Sequence, residues 1–272
     1  MFVYQLTTVM IEIDKYEDYR AHMRAFKKKK LNLVTVVSRG GLGKTFISEE
    51  ELLEEAPLIF SGHVTPMALY QALYTKSLEE KDFIVIFDDV DSLLLNKTNV
   101  AILKQVCDTR EMKTVKYFSS ALSAGIPNEF ETSCKVLMLM NNLNPEDANM
   151  KALMTRSHLI NFKPSDLEVL NNMKTFATDK QILNFIEIYA AFSSSLNLRC
   201  YKRAAELKDS GLNWKRSIVN DLDVDEQLLE VHELLLKYKT NIEREKRFSG
   251  GRATFYRKQK LLLSKNPMLI RK

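Results

Sequence analysis

Leu31-Asn32-Leu33-Val34-Thr35-Val36-Val37-Ser38-Arg39-Gly40-Gly41-Leu42-Gly43-Lys44-Thr45 is the stretch that decides the fold. An apolar, β-branched run that ends in a glycine cluster reads as a buried parallel strand followed by a turn. Glycines at that point let the backbone bend so that its N–H groups face a polyphosphate. Lys44 adds a point charge for the β- and γ-phosphates, and the Thr45 hydroxyl suits a magnesium ion. The expected ligands are therefore ATP and Mg2+, held by Ser38, Gly40, Gly41, Leu42, Gly43, Lys44, Thr45 and Phe46. Ser38 stands where this pattern usually has a further glycine.

A second apolar run, 83–87, ends in Asp88-Asp89. A carboxylate at that strand end is placed to hold the magnesium through water, which gives Asp88 with Thr45 as the metal pair. Asp89 is placed to polarise an attacking water. Glutamate is commoner there, and aspartate is shorter.

Working outward, further strands are expected at 58–60, 135–140 and 159–162. Helices are expected after Lys44 through the acidic stretch 49–55, after Thr65-Pro66 (N-cap and first helical residue) and at 99–108. Strands alternating with helices at this pitch imply a parallel sheet covered on both faces, an α/β fold. The first thirty residues are harder to place: 9–13 has the pattern of a short strand, and 16–30 that of a helix ending in four lysines. Beyond Pro164 the pattern is helical only, at 165–174, 178–192, 197–208, 223–246 and 252–264. The expected organisation is an N-terminal segment (1–30), an α/β ATPase core (31–163), a helical lid (164–210) and a basic helical C-terminal region (211–272).

Composition agrees with a globular chain of 272 residues, 45% hydrophobic and 28% charged. No apolar run approaches the roughly 18 residues of a membrane-spanning helix, and the N-terminus lacks a secretory layout. Three widely spaced cysteines (Cys107, Cys134, Cys200) suggest neither a disulfide framework nor a zinc site. A cytoplasmic protein without a membrane partner is expected. The net charge of +5 conceals an asymmetry. Residues 237–272 hold twelve Lys/Arg against two Asp/Glu, leaving 28 against 33 in the rest. An acidic body with a basic tail suggests a polyanionic partner, with a solvated basic helix as the alternative.

From Leu31 to Leu207 the sequence resembles the AAA+ ATPases. The run 136–142, ending in Asn141-Asn142, looks like that family's sensor-1 strand, with Asn142 as first candidate and Asn141 as second. Lys151-Ala152-Leu153-Met154-Thr155-Arg156 is similar to the helix end bearing an arginine finger, which implies that Arg156 reaches the γ-phosphate of a neighbouring subunit in a homo-oligomer. A surface ion pair or helix cap is the plainer account of the same residue. Leu198 to Ala204 looks like the sensor-2 helix, with Arg199 in the sensor position. The resemblance implies a catalytic set of Lys44, Asp89, Asn142 and Arg156.

The segment 108–132, with Lys113, Lys116, Tyr117 and Phe118, is similar to the pre-sensor hairpin with which several AAA+ groups touch DNA. An ordinary surface hairpin fits it equally well. In the tail, three- and four-residue spacing groups Arg252, Tyr256 and Lys260 on one side of a helix, with Arg257 beside them. Phe255 and Leu262 are spaced to face a core. This helix resembles the recognition helix of helix-turn-helix domains, which implies a DNA partner. Two other functions compete with a DNA-acting, ATP-hydrolysing oligomer. A nucleotide-gated signalling switch with little hydrolysis shares the glycine loop and the Asp88-Asp89 pair. A kinase would need a second, arginine-lined substrate site, and the sequence shows none.

Overall fold

The computed structural model describes residues 10–265, apart from 90, 121, 123, 144–147 and 194–195. Val9 of the expected first strand lies outside the described residues. The chain divides into two compact units, Met1–Ser165 and Asp166–Lys272.

The first unit runs β1 (Met10–Ile13), α1 (Tyr16–Lys27), β2 (Leu33–Val37), α2 (Lys44–Leu52) and β3 (Leu58–Ser61). It continues through α3 (Pro66–Glu79), β4 (Ile84–Asp88), α4 (Asp91–Leu94), α5 (Lys97–Val106) and the strands β5 (Lys113–Lys116) and β6 (Glu129–Thr132). The strand β7 (Lys135–Met140), the helix α6 (Ala148–Met154) and the strand β8 (His158–Phe162) complete it. Six strands form a parallel sheet in the order β1-β8-β2-β7-β4-β3. β1 is its edge strand, so the hard-to-place N-terminal stretch is part of this unit.

Both faces of the central strands are dry. Val85, Phe87, Val136, Met138 and Met140 join Leu69, Tyr70 and Leu73 of α3 in one cluster. The alternate residues Val34, Val36, Ile84, Ile86, Leu137 and Leu139 are as deeply buried; since strand side chains alternate, they cover the other face. The helix starts follow local chemistry. Thr65 accepts from the Ala68 N–H with Pro66 next to it, and Asn96 accepts from the N–H groups of Thr98 and Asn99 at the start of α5. β5 and β6 form a separate antiparallel hairpin. It is held to α3 by the Tyr70 hydroxyl, which donates to the Pro127 carbonyl at 2.7 Å, and by Tyr70–Phe130 ring contact.

The second unit is helical: α7 (Asp166–Phe176), α8 (Lys180–Ala190), α9 (Arg199–Asp209), α10 (Trp214–Asp221), α11 (Glu226–Lys237), α12 (Asn241–Arg247) and α13 (Arg252–Lys265). The single helix expected over 223–246 is two. Tyr238 is extended, and Thr240 and Glu243 form a reciprocal capping box that starts α12 afresh. α13 packs on α11 through Phe255 and Leu262, both fully buried. Phe248 closes on Phe255 at 5.7 Å between ring centroids. Inside this unit the buried His232 ring pairs with the Tyr189 hydroxyl at 2.9 Å. All three cysteines are buried and free. Among the described residues, no helix is long and apolar enough to cross a membrane.

Candidate nucleotide site

The register of the sheet assembles the site. Val37 of β2 lies opposite Met140 of β7, and Asp88 of β4 opposite Leu139. The carboxyl ends of three adjacent strands therefore finish level, where parallel α/β sheets bind their ligands. The Ser38 N–H donates to the Met140 carbonyl at 3.0 Å and extends the ladder one step beyond the strand. The chain then turns through Gly41 and Gly43, at φ of 82° and 85°. Side chains avoid that region of backbone space, which accounts for glycine at these two points. Gly43 is the N-cap of α2, so the N–H groups of the first helical turn open onto the loop.

Lys44 is buried, and its ammonium donates to the Ser38 carbonyl at 3.3 Å and to Asn141 Oδ1 at 2.5 Å. Asn141 Nδ2 in turn donates to Asp89 Oδ1 at 2.8 Å. One amide thus links the loop lysine to the second carboxylate. Thr45 Oγ1 donates to the Asp88 carboxylate, at 3.1 and 3.2 Å to its two oxygens. Burial raises the Asp88 carboxyl above its ordinary value, the Thr45 hydrogen bond opposes that, and the neighbouring Asp89 adds to it. A hydroxyl and a carboxylate at one point, with a second carboxylate adjoining, make the hard oxygen set that a magnesium ion prefers. A cation there also relieves the repulsion between the two aspartates. Asp89 itself adopts φ of 53°, an unusual conformation for a non-glycine residue.

Two tyrosines that sequence reasoning did not single out brace the loop from α1. Tyr16 donates its hydroxyl to the Leu42 carbonyl at 3.0 Å and Tyr19 to the Lys44 carbonyl at 3.2 Å. Tyr19 also shares a 2.6 Å hydrogen bond with Ser48 and stacks on Phe162. Burial pushes the Tyr19 hydroxyl far above its ordinary pKa, which keeps it a donor. The signal in the sequence is the three- and four-residue spacing of Tyr16, Tyr19, Met23 and Phe26, an apolar helix face carrying two polar tips.

The remaining expected residues are distributed as follows. Leu42 is buried, Gly40 is exposed, and Phe46 is 64% exposed on α2. Asn142 is exposed, and it is Asn141 that meets Lys44 and Asp89. Arg156 is exposed just beyond α6, and its guanidinium reaches the Lys104 carbonyl at 3.4 Å. Arg199 is the exposed first residue of α9, in the second unit.

Of the two hairpin lysines, only Lys116 is exposed, ion-paired with Glu129 at 2.8 Å. Lys113 is fully buried and its ammonium donates to the Cys134 carbonyl. Burial lowers its pKa, and the side chain is removed from any contact surface. On α13 the exposed residues are Arg252, Ala253, Tyr256, Arg257, Lys260, Leu261, Ser264 and Lys265, spaced along one continuous face. Lys258 and Gln259 point inward instead, to Asp225 and Asn241. Glu245 of α12 sits against that face, 3.3 Å from both Arg252 and the Tyr256 hydroxyl.

No protein-family model matches the sequence, and no curated protein matches it. Solved structures do. The Aeropyrum pernix Orc1 protein, solved in complex with DNA, aligns with a TM-score of 0.51 at 11% identity, over 98% of this chain and 86% of that one. A Thermotoga maritima RuvB mutant aligns with a TM-score of 0.49 at 12% identity, over 84% and 76%. Caenorhabditis elegans PCH-2 aligns with a TM-score of 0.45 at 16% identity, over 76% and 66%. At these identities the likeness concerns the fold, and the Orc1 alignment carries it across nearly the whole chain. With the phosphate loop, the Asp88-Asp89 strand end and the Asn141 strand end side by side on one parallel sheet, this chain has the fold of the AAA+ P-loop ATPases.

Proposed function

We propose that the chain binds ATP with Mg2+ at the loop 38–45, hydrolyses it as a homo-oligomer, and acts on DNA. The observation that carries this reading is the linked set Lys44–Asn141–Asp89 beside Thr45–Asp88. Magnesium at Thr45 and Asp88 would neutralise phosphate charge when bound. The protein's own contributions are separate. The N–H groups at the start of α2 and the Lys44 ammonium bind the phosphates. Asp89 accepts a proton from water, and Asn141 fixes the angle of that carboxylate. Asn141 therefore takes the sensor role in preference to Asn142. Arg156, exposed and with no carboxylate within 4 Å among the described residues, serves a nucleotide bound by another copy, while the unit after Ser165 acts as lid through α7 to α9, with Arg199 as its sensor.

The DNA reading rests on α13, whose exposed Arg252, Tyr256, Arg257 and Lys260 face has the composition of a groove-binding helix. Likeness to the DNA-bound Orc1 fold supports it. The test is ATP hydrolysis with and without single- and double-stranded DNA, beside size-exclusion chromatography with a non-hydrolysable ATP analogue. Stimulation by DNA and analogue-driven assembly support the proposal; turnover indifferent to both refutes the DNA-acting oligomer. A nucleotide-gated switch is the second reading, favoured by the short Asp89 side chain tied to Asn141. It predicts tight ATP binding with no turnover under any of these conditions.

A further inference from the structure

The first turn of α13 is fixed by contacts with α11 and α12. Ser249, just ahead of it, donates its N–H and its hydroxyl to the Glu230 carboxylate of α11, at 2.7 and 2.6 Å. A Cβ at Gly250 would stand 2.6 Å from the Phe248 ring, so the link between α12 and α13 closes tightly there. Phe255 and Leu262 are buried beneath the helix, and Lys258 and Gln259 are tied to Asp225 and Asn241. Arg252, the first residue of α13, therefore leaves a backbone with little freedom.

The Arg252 side chain is 75% exposed, yet it is oriented. Its Nε lies 3.3 Å from Glu245 Oε1, and the Tyr256 hydroxyl donates to Glu245 Oε2 at 3.3 Å. The guanidinium also lies 5.9 Å from the centroid of the Tyr256 ring, within cation–π range. Among the described residues neither Nη group of Arg252 has a partner. Arg257 and Lys260 make no ion pair among those residues, and Asp225 acts on Arg257 from beyond ion-pair distance.

An ion pair this exposed contributes little to folding. On a face that meets a polyanion, a carboxylate also lowers non-specific affinity. What Glu245 supplies is direction: with Nε held, the two Nη groups form a fixed fork. Such a fork matches the O6 and N7 acceptors of guanine in the major groove, and the first residues of a recognition helix are the ones that reach base edges.

We propose that Arg252, aimed by Glu245 and Tyr256, reads a guanine in the major groove of duplex DNA, while Arg257 and Lys260 hold phosphates. Arg252 is then the specificity-determining residue, with Glu245 and Tyr256 positioning it. This rests on the reading of α13 as a DNA-contacting helix, and adds that the contact depends on sequence.

The test begins with selection from a random-sequence duplex pool on the full native chain, which is expected to enrich a motif with a fixed guanine. Fluorescence anisotropy at one salt concentration then compares that duplex with two others. In one the guanine is replaced by 7-deazaguanine, which lacks N7; in the other by inosine, which keeps O6 and N7. A bidentate arginine–guanine pair discriminates by roughly 5- to 150-fold. The native chain is expected to lose affinity within that range on 7-deazaguanine, and to bind the inosine duplex within about twofold of the guanine one. Arg252→Lys keeps the charge without the fork. It should bind the guanine and 7-deazaguanine duplexes within about twofold of each other, with the native salt slope. Glu245→Ala is expected to lose the preference and gain affinity for random duplex, whereas Glu245→Gln keeps an acceptor oxygen and should keep the preference.

A native chain that binds duplex DNA but enriches no guanine overturns the proposal and leaves the DNA reading standing; one that binds no duplex ends both. Undiminished discrimination by Arg252→Lys also overturns it, because charge alone then suffices. If Glu245→Ala discriminates as the native chain does, the carboxylate merely ties α12 to α13 and does not aim the arginine. Should Glu245→Ala melt early, Arg252→Lys still decides, since it retains a cation for Glu245.

Discussion

Replacing Asn141 by alanine removes two contacts at once, the 2.5 Å bond from Lys44 and the 2.8 Å bond to Asp89. Each is a hydrogen bond to a charged group, worth about 1.5–3 kcal/mol where water is excluded. In the free protein Asp89 is exposed, so water replaces its partner, and the buried Lys44 ammonium keeps its bond to the Ser38 carbonyl and gains water in the space that the half-buried Asn141 side chain vacates. The cost to folding is then under about 1 kcal/mol, a shift of a few degrees in Tm. During turnover the requirement differs. Asp89 has to present one orientation to water, and Lys44 has to exchange Asn141 for phosphate. Loss of one positioned polar group at such a point lowers kcat about 10²- to 10³-fold. ATP affinity is expected to hold or improve, because the Lys44 ammonium is released from Asn141. Steady-state phosphate release, equilibrium binding of a fluorescent ATP analogue and thermal melting separate the three effects. Asn142→Ala, run in parallel, is expected to stay within about threefold of the native rate, below the loss tied to a positioned group. The reasoning fails if Asn142→Ala is the more damaging, or if Asn141→Ala loses affinity rather than turnover.

Further outcomes follow from other parts of the structure. Burial holds the His232 pKa down at about 4, from an ordinary 6.5, with Lys215 adding to the effect. The folded form therefore keeps the ring neutral while the unfolded chain protonates. Stability of the second unit is complete above pH 6.5 and falls by about 3 kcal/mol as pH drops to 4, with no further loss from this group below that. Melting of the native chain against His232→Gln across that window checks it: the variant should show a shallower slope. Arg257→Ala and Lys260→Ala should each weaken DNA binding and lower the slope of log affinity against log salt by about 1, measured by fluorescence anisotropy. An unchanged slope removes them from the interface. Lys113→Met should leave DNA affinity within about twofold, since the native ammonium is fully buried against Cys134; Lys116→Ala, at an exposed position, should not.

The central sheet was legible because its strands are buried on both faces and so appear as continuous apolar runs bounded by glycine or aspartate. The same residues that end β2 and β4 carry the phosphate loop and the carboxylates, so fold and site were read from one pattern. Asn141 and Asn142 are adjacent, and only the register of β7 against β2 and β4 decides which one faces Lys44; that is tertiary information. The tyrosine brace was hidden because Tyr16 and Tyr19 read as ordinary core positions on an amphipathic helix, and their polar tips find partners in a loop some 25 residues away. Lys113 misled for the opposite reason, since a lysine in a hairpin is ordinarily solvated. The break between α11 and α12 was written in Thr240-x-x-Glu243, but a leucine-rich helical period runs across it and masks the capping box. β1 is only four residues long, and its place at the sheet edge depends on pairing with β8, 149 residues later in the register.

The most direct test of the ATPase reading is Mg2+-dependent phosphate release by the native chain and by Lys44→Ala at matched concentrations. The account predicts turnover whose specific activity climbs with protein concentration in the native chain and is abolished in Lys44→Ala. Tight ATP binding with no phosphate release in the native chain, or turnover that survives the loss of Lys44, would contradict it.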